Sequence, residues 1–159
     1  MRRTLRQSTR IRYAFRCGYC GVSETNIGAE MTVDHFQPRV HDGNDSLENL
    51  VYCCHACNEF KGDYWKTEPG LRLLHPLLDD LTIHYREQDD GTLLALTERG
   101  ANHLQTLHLN RPELIAYRLE QREIVLLRQM NQILRQQLKE SQQTTHLLET
   151  ELERNANAS

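Results

Sequence analysis

No apolar run in these 159 residues approaches the ~20 that a membrane-crossing helix requires, so no transmembrane span is expected. No apolar stretch follows the arginines at the start of the chain, so a secretory leader is not expected either, and a cytoplasmic protein is. Proline and glycine are sparse, at 4 and 8 residues, and neither occurs after Pro112, so nothing there interrupts a helix. No acidic residue precedes Glu24, although the whole chain carries a net charge of −3. The 5 cysteines are too few and too regularly paired for a disulfide framework; they fit a reducing interior and metal ligation. No internal repeat or low-complexity segment is present, and the length suits one compact domain with an extension.

Four of the cysteines form two C-x2-C pairs, Cys17-Gly-Tyr-Cys20 and Cys54-His-Ala-Cys57. That spacing predicts a four-thiolate zinc site. Four protein ligands leave no position for a reactive water, so the ion closes the fold and does not catalyse. Cys53 adjoins a ligand and reads as a spare thiol. Between the pairs lies Val33-Asp34-His35, then a Gly/Asn/Asp-rich loop, then Glu48-Asn49-Leu50-Val51-Tyr52. Asn58 directly follows the second pair.

The fold class is α+β. Residues 4–16 read as a helix with Leu5, Ile11, Ala14 and Phe15 as its buried stripe, and 22–30 read as loop. Residues 31–35 are β-like, 41–46 are turn chemistry, 48–52 are the next apolar stretch, and a helix runs from Ala56 to about Tyr64. Asp89-Asp90-Gly91 between two short apolar runs predicts a hairpin, followed by a helix near 101–108. Leucines at three- and four-residue spacing then predict a helix from Pro112 to about Arg154, with a heptad broken by polar residues at 140–144. The expected layout is a core with a basic N-terminal helix at 1–66, a hairpin and short-helix extension at 67–110, a long helix at 111–154 and a disordered tail at 155–159.

The string C-x2-C, V-D-H, P-R, E-N-L-V, C-x2-C-N-x2-K over about residues 15–62 resembles the HNH endonuclease motif in its zinc-stabilised form, one of the ββα-metal nucleases. Asn58 stands where the family name has its last histidine. The resemblance implies that His35 is a general base toward water, suited by an imidazole pKa near working pH. It implies that Asp34 and Asn58 offer oxygen ligands to Mg2+ or Mn2+, hard donors for a hard cation. Asn49 completes the implied catalytic set by bracing the loop and orienting His35 rather than binding metal; a purely structural Asn49 is the alternative. Products with 5′-phosphate and 3′-hydroxyl ends follow from the same resemblance.

DNA is the expected partner. Arg2, Arg3, Arg6, Arg10, Arg12 and Arg16 precede the first cysteine and read as a phosphate-contacting arm, with a solvated helix face as the alternative. Because acidic residues concentrate downstream, the arm need not be neutralised locally. Arg12, Arg16, Arg39 and Lys61 are the candidate nucleic-acid contacts. A protein partner, an ATPase or a second copy, is expected on the C-terminal helix. More loosely, the region after the motif is similar to small prokaryotic HNH proteins of Septu- and retron-type anti-phage defence systems. The competing readings are a zinc-stabilised nucleic-acid-binding module without catalysis and a homing or restriction nuclease of the same core.

Overall fold

The computed structural model describes residues 3–156. The elements run α1 (Arg3–Arg12), α2 (Glu24–Ile27), β1 (Thr32–His35), β2 (Leu50–Cys53), α3 (His55–Lys61), β3 (Tyr85–Glu87), β4 (Leu93–Ala95), α4 (Glu98–Thr106) and α5 (Pro112–Ala156). They divide into two compact units, one up to Tyr117 and one from Arg118 onward. The expected α+β class holds, with the order knuckle, strand, loop, strand, helix. Arg2 of the expected basic arm and residues 157–159 of the expected tail lie outside the described residues.

β1 and β2 pair antiparallel, with Thr32 opposite Cys53, Asp34 opposite Val51 and His35 opposite Leu50. All four β2 residues are buried, which explains why Leu-Val-Tyr-Cys reads as continuous rather than alternating apolar sequence. Cys54 follows β2 directly, and His55 opens α3. The second hairpin, β3 with β4, belongs to the same unit, as does α4. Leu73, Leu104, Leu107 and Leu114 share one hydrophobic cluster with Tyr52 and Cys57, so residues 67–110 extend the core rather than stand apart from it.

Two local readings are corrected. Ala14 and Phe15 take positive φ of 49° and 61°, a conformation that a right-handed helix cannot contain, and α1 stops at Arg12. The expected stripe is therefore not the buried one: Ile11, Ala14 and Phe15 are exposed, while Thr9 and Tyr13 are buried. The stretch expected as loop at 22–30 contains α2, capped by the Ser23 side chain, which accepts from the Asn26 amide. Glu24 of α2 receives a two-pronged bond from Arg10 at 2.7 Å on each oxygen, and the Tyr52 hydroxyl also donates to it. This carboxylate ties α1 and α2 to β2.

Candidate active site and metal centre

The Cys17–Cys20 knuckle is shaped by its backbone. The Cys17 amide donates to the Val22 carbonyl at 2.8 Å and the Gly21 amide to the Cys17 carbonyl at 2.9 Å. Gly21 has φ +76°, which favours glycine. At Gly18 the reason differs: a Cβ would lie 2.5 Å from the Tyr13 ring, so only glycine lets the knuckle sit against that side chain. The second pair comes from the start of α3, where Cys54 occupies the N-cap and Cys57 lies within the first turn.

The four sulfurs all lie within 4.8 Å of one another, with Cys20 and Cys54 3.8 Å apart. A disulfide needs ~2.05 Å, so this is no oxidised pair. A tetrahedron with Zn–S of ~2.3 Å has edges of ~3.8 Å, which is the spacing of a zinc ligand set. The cysteines are thus placed to bind a metal ion. Arg111 sets its guanidinium 3.8 Å from the Cys57 sulfur, a cation beside a ligand set whose four thiolates exceed the charge of any divalent ion. Cys53 is buried, and desolvation raises its thiol pKa well above the ordinary value, keeping it neutral.

Asp34 and His35 are the last two residues of β1, and their side chains take different partners. Asp34 is 10% exposed. Its Oδ2 accepts from the Tyr19 hydroxyl at 2.7 Å and from Lys61 Nζ at 3.0 Å, and its Oδ1 lies 3.2 Å from the same ammonium. Burial raises its pKa, and the Lys61 charge and the Tyr19 hydrogen bond pull it back part of the way. Lys61 is fully buried and also donates to the His35 carbonyl at 2.8 Å. It is therefore held inside the fold rather than offered to a phosphate at the surface: a buried carboxylate needs a countercharge, and Lys61 supplies it. Asn58 sits one turn before Lys61 on α3, so both share the helix face that meets β1. Its Oδ1 lies 3.9 Å from the Cys53 sulfur.

His35 faces the loop. Its Nε2 lies 2.7 Å from Asp45 Oδ1, and Arg39 grips both oxygens of Asp45 at 2.6 Å. Nε2 is the donor in the contact with the Asp45 carboxylate, and in the neutral ring Nδ1 is then the basic nitrogen. The 3.3 Å approach of Arg39 Nε to the same nitrogen is then a close contact and not a hydrogen bond. The His35 and Arg39 bonds hold the Asp45 carboxyl below its usual pKa. Asn49 pins the loop that carries this group: its Oδ1 accepts from the Gln37 amide at 2.8 Å, and its Nδ2 donates to the Gln37 and Asn44 carbonyls at 3.1 and 2.9 Å.

Four of the N-terminal arginines are engaged with their own chain. Arg10 pairs with Glu24, Arg6 with Glu30, Arg12 donates to the Leu47 carbonyl and Arg16 to the Gly21 carbonyl. The expectation that the arm is not neutralised locally is thus corrected at Arg6 and Arg10, because α2 and the residues after it bring two glutamates to them. Arg12, Arg16 and Arg39 keep exposed side chains on the surface of this unit. Sequence reasoning did not single out Tyr19, Asp45 or Arg111. Tyr19 sits between two ligand cysteines and Asp45 in a turn, where aromatic and acidic residues have ordinary uses, so neither carried a signal.

Two comparisons with known proteins bear on this geometry. The HNH endonuclease family model matches residues 17–63, which hold both cysteine pairs, Asp34, His35, Asn49 and Asn58. A stretch of 49 residues is 45% identical to part of the CRISPR-associated endonuclease Cas9 of Corynebacterium diphtheriae, covering 30% of this chain and 4% of that protein. The chain thus spans a small fraction of the length of this relative. No solved structure matches the chain.

Proposed function

From an HNH endonuclease domain at residues 17–63, we propose a divalent-metal-dependent phosphodiesterase that hydrolyses DNA, with His35 as general base. The observation that carries the reading is the pairing of His35 with Asp45 at the end of β1, one residue after the buried Asp34. Asp45 holds the imidazole in the tautomer whose Nδ1 accepts a proton from water. Arg39 keeps Asp45 in place, and Asn49 keeps the loop in place.

Asp34 offers a desolvated carboxylate, and a metal ion there would share or displace the Lys61 ammonium and Tyr19 hydroxyl that now contact its oxygens. Asp34 and Asn58 would hold Mg2+ or Mn2+ through oxygen, and such an ion supplies charge stabilisation to the phosphate and the leaving 3′-oxygen. Lys61 opposes the rise that burial imposes on the Asp34 pKa and fixes the end of β1 through the His35 carbonyl, so the base and the ligand keep one relative position. The four-cysteine site holds zinc in this reading and anchors α3, which carries Asn58. Arg12, Arg16 and Arg39 contact backbone phosphates, giving affinity that falls with salt.

Supercoiled plasmid tests this. Zinc-loaded protein freed of loosely held divalent ions should nick only when Mg2+ or Mn2+ is added. Nicking at the same rate without added ion, with zinc content unchanged, would remove the metal-dependent reading. The wider reading, a nuclease of a prokaryotic anti-phage defence system acting in the cytoplasm, rests on the looser resemblance. Phage plating on cells with and without the protein tests it, equal efficiencies counting against a defence role.

A further inference from the structure

The unit from Arg118 onward is a single helix, and most of its described hydrophobic side chains are open to solvent. Leu126, Leu127, Met130, Ile133, Leu134 and Leu138 are each 49–59% exposed, and Leu147 and Leu148 are 65% and 56% exposed. Of these, Leu126, Met130, Ile133, Leu134 and Leu148 share one helix face with Leu119, an exposed apolar strip on the order of several hundred Å². An apolar surface of that size on a lone helix calls for a partner.

The helix itself indicates which partner. Residues 118–139 carry five basic side chains and two acidic ones, net +3. Residues 140–156 carry four glutamates and one arginine, net −3. Two copies side by side in the same direction set like charges against like over the whole length. Two copies in opposite directions set each basic half against an acidic half.

The apolar face repeats the complementarity. Around Gln137, the residues at four, seven and eleven positions on either side fall on one helix face, by the 3.6-residue period. On the N-terminal side these are Ile133, Met130 and Leu126; on the C-terminal side they are Ser141, Thr144 and Leu148. An antiparallel pair centred on Gln137 sets Met130 against Thr144 and Ile133 against Ser141 of the second copy, large against small, and Leu126 against Leu148. The polar break of the heptad at 140–144 then becomes the space that the large residues fill. Thr144 already donates its hydroxyl to the Glu140 carbonyl at 2.9 Å, so its methyl can face a neighbour without stranding a donor. We propose that this helix is an antiparallel self-association element that joins two copies of the chain. The inference does not depend on the nuclease reading.

The mass of the full zinc-loaded chain in solution, by light scattering, tests it. The expected value is twice 18.6 kDa in the micromolar range. The variant Met130→Glu with Ile133→Glu should dissociate at least 100-fold more readily, with helical circular dichroism of the unit before Arg118 retained. A second set avoids apolar changes: Arg122→Glu with Arg128→Glu weakens the dimer, and adding Glu149→Arg with Glu153→Arg to the same chain restores it. Direction is read from a spin label on a genetically encoded side chain at Gln121. Antiparallel pairing puts the two labels about 48 Å apart, from 32 residues at 1.5 Å each. A monomer at 100 μM, a dimer indifferent to both sets of changes, or labels within ~15 Å would each overturn the proposal.

Discussion

Replacing Lys61 with methionine removes the cation that faces Asp34 while keeping most of the side-chain volume. Lys61 has no exposed side-chain surface, and Asp34 has 10%. The change leaves a carboxylate buried without a countercharge and takes a donor from the His35 carbonyl, which Lys61 reaches at 2.8 Å. Losing one member of a buried pair costs about 3–5 kcal/mol. The pH dependence has a definite sign. Burial already raises the pKa of Asp34, and Lys61 is the largest influence opposing that rise, so the variant raises it further. The folded variant therefore takes up a proton on Asp34 at higher pH than the wild type does. Its deficit is full near neutrality and shrinks as acidification protonates the carboxyl. Urea unfolding reports this through Trp65, the lone tryptophan, which packs edge-on against Phe36 at 5.9 Å. Adding Asp34→Asn to the variant should recover most of the loss. A deficit under about 1 kcal/mol at pH 7, or one that grows toward acid, would refute the buried-pair account.

Three more outcomes follow from the geometry. Cys57→Ser should lose zinc and stability together, read by metal analysis and thermal unfolding, since binding free energy at such a site is folding free energy; a stable, zinc-free variant would contradict the ligand assignment. His103 is buried, accepts from the Leu74 amide through Nδ1, and has its pKa depressed to about 3 by desolvation. The unfolded chain therefore binds a proton below pH ~6.5 that the folded chain does not, and stability should fall by about 2 kcal/mol between pH 6.5 and 5. His103→Gln should flatten that slope, and an unchanged slope would put its cause elsewhere. Asn49→Ala removes three hydrogen bonds across the 37–49 loop and should cost about 2–3 kcal/mol. Nicking should slow with it, because the loop that carries Asp45 loosens, whereas full activity would leave Asn49 a structural residue alone.

The parts that were legible in the sequence are those that short-range spacing encodes. Two C-x2-C pairs gave the sulfur cluster, and the turn residues between apolar runs gave the two short strands and the order leading into α3; their antiparallel pairing came from the structure. The face of α1 was not legible. Its period suggested Ile11 and Phe15 as core, but the left-handed backbone at Ala14 and Phe15 ends the helix and turns Tyr13 inward instead. The surroundings of the candidate site were equally hidden. Lys61 lies 27 residues from Asp34 and Tyr19 lies 15, and nothing local marks a lysine in the last turn of a helix as buried. Asp45 reads as one more turn residue until the 36–49 loop folds back and brings it to 2.7 Å from His35. Such pairings depend on how the loop closes, which periodicity and composition do not specify.

In the proposed reaction His35 acts on water beside a cation held by Asp34. The most direct measurement of this is single-turnover nicking of supercoiled plasmid by wild-type protein and by His35→Ala, both zinc-loaded, with Mg2+ present. His35 lies outside the buried hydrophobic cluster, so the variant should keep its zinc and its fold while losing the bond to Asp45. Its cleavage should fall by at least ~100-fold, the scale of a lost general base. Cleavage by the folded variant within a factor of two of wild type would contradict the account.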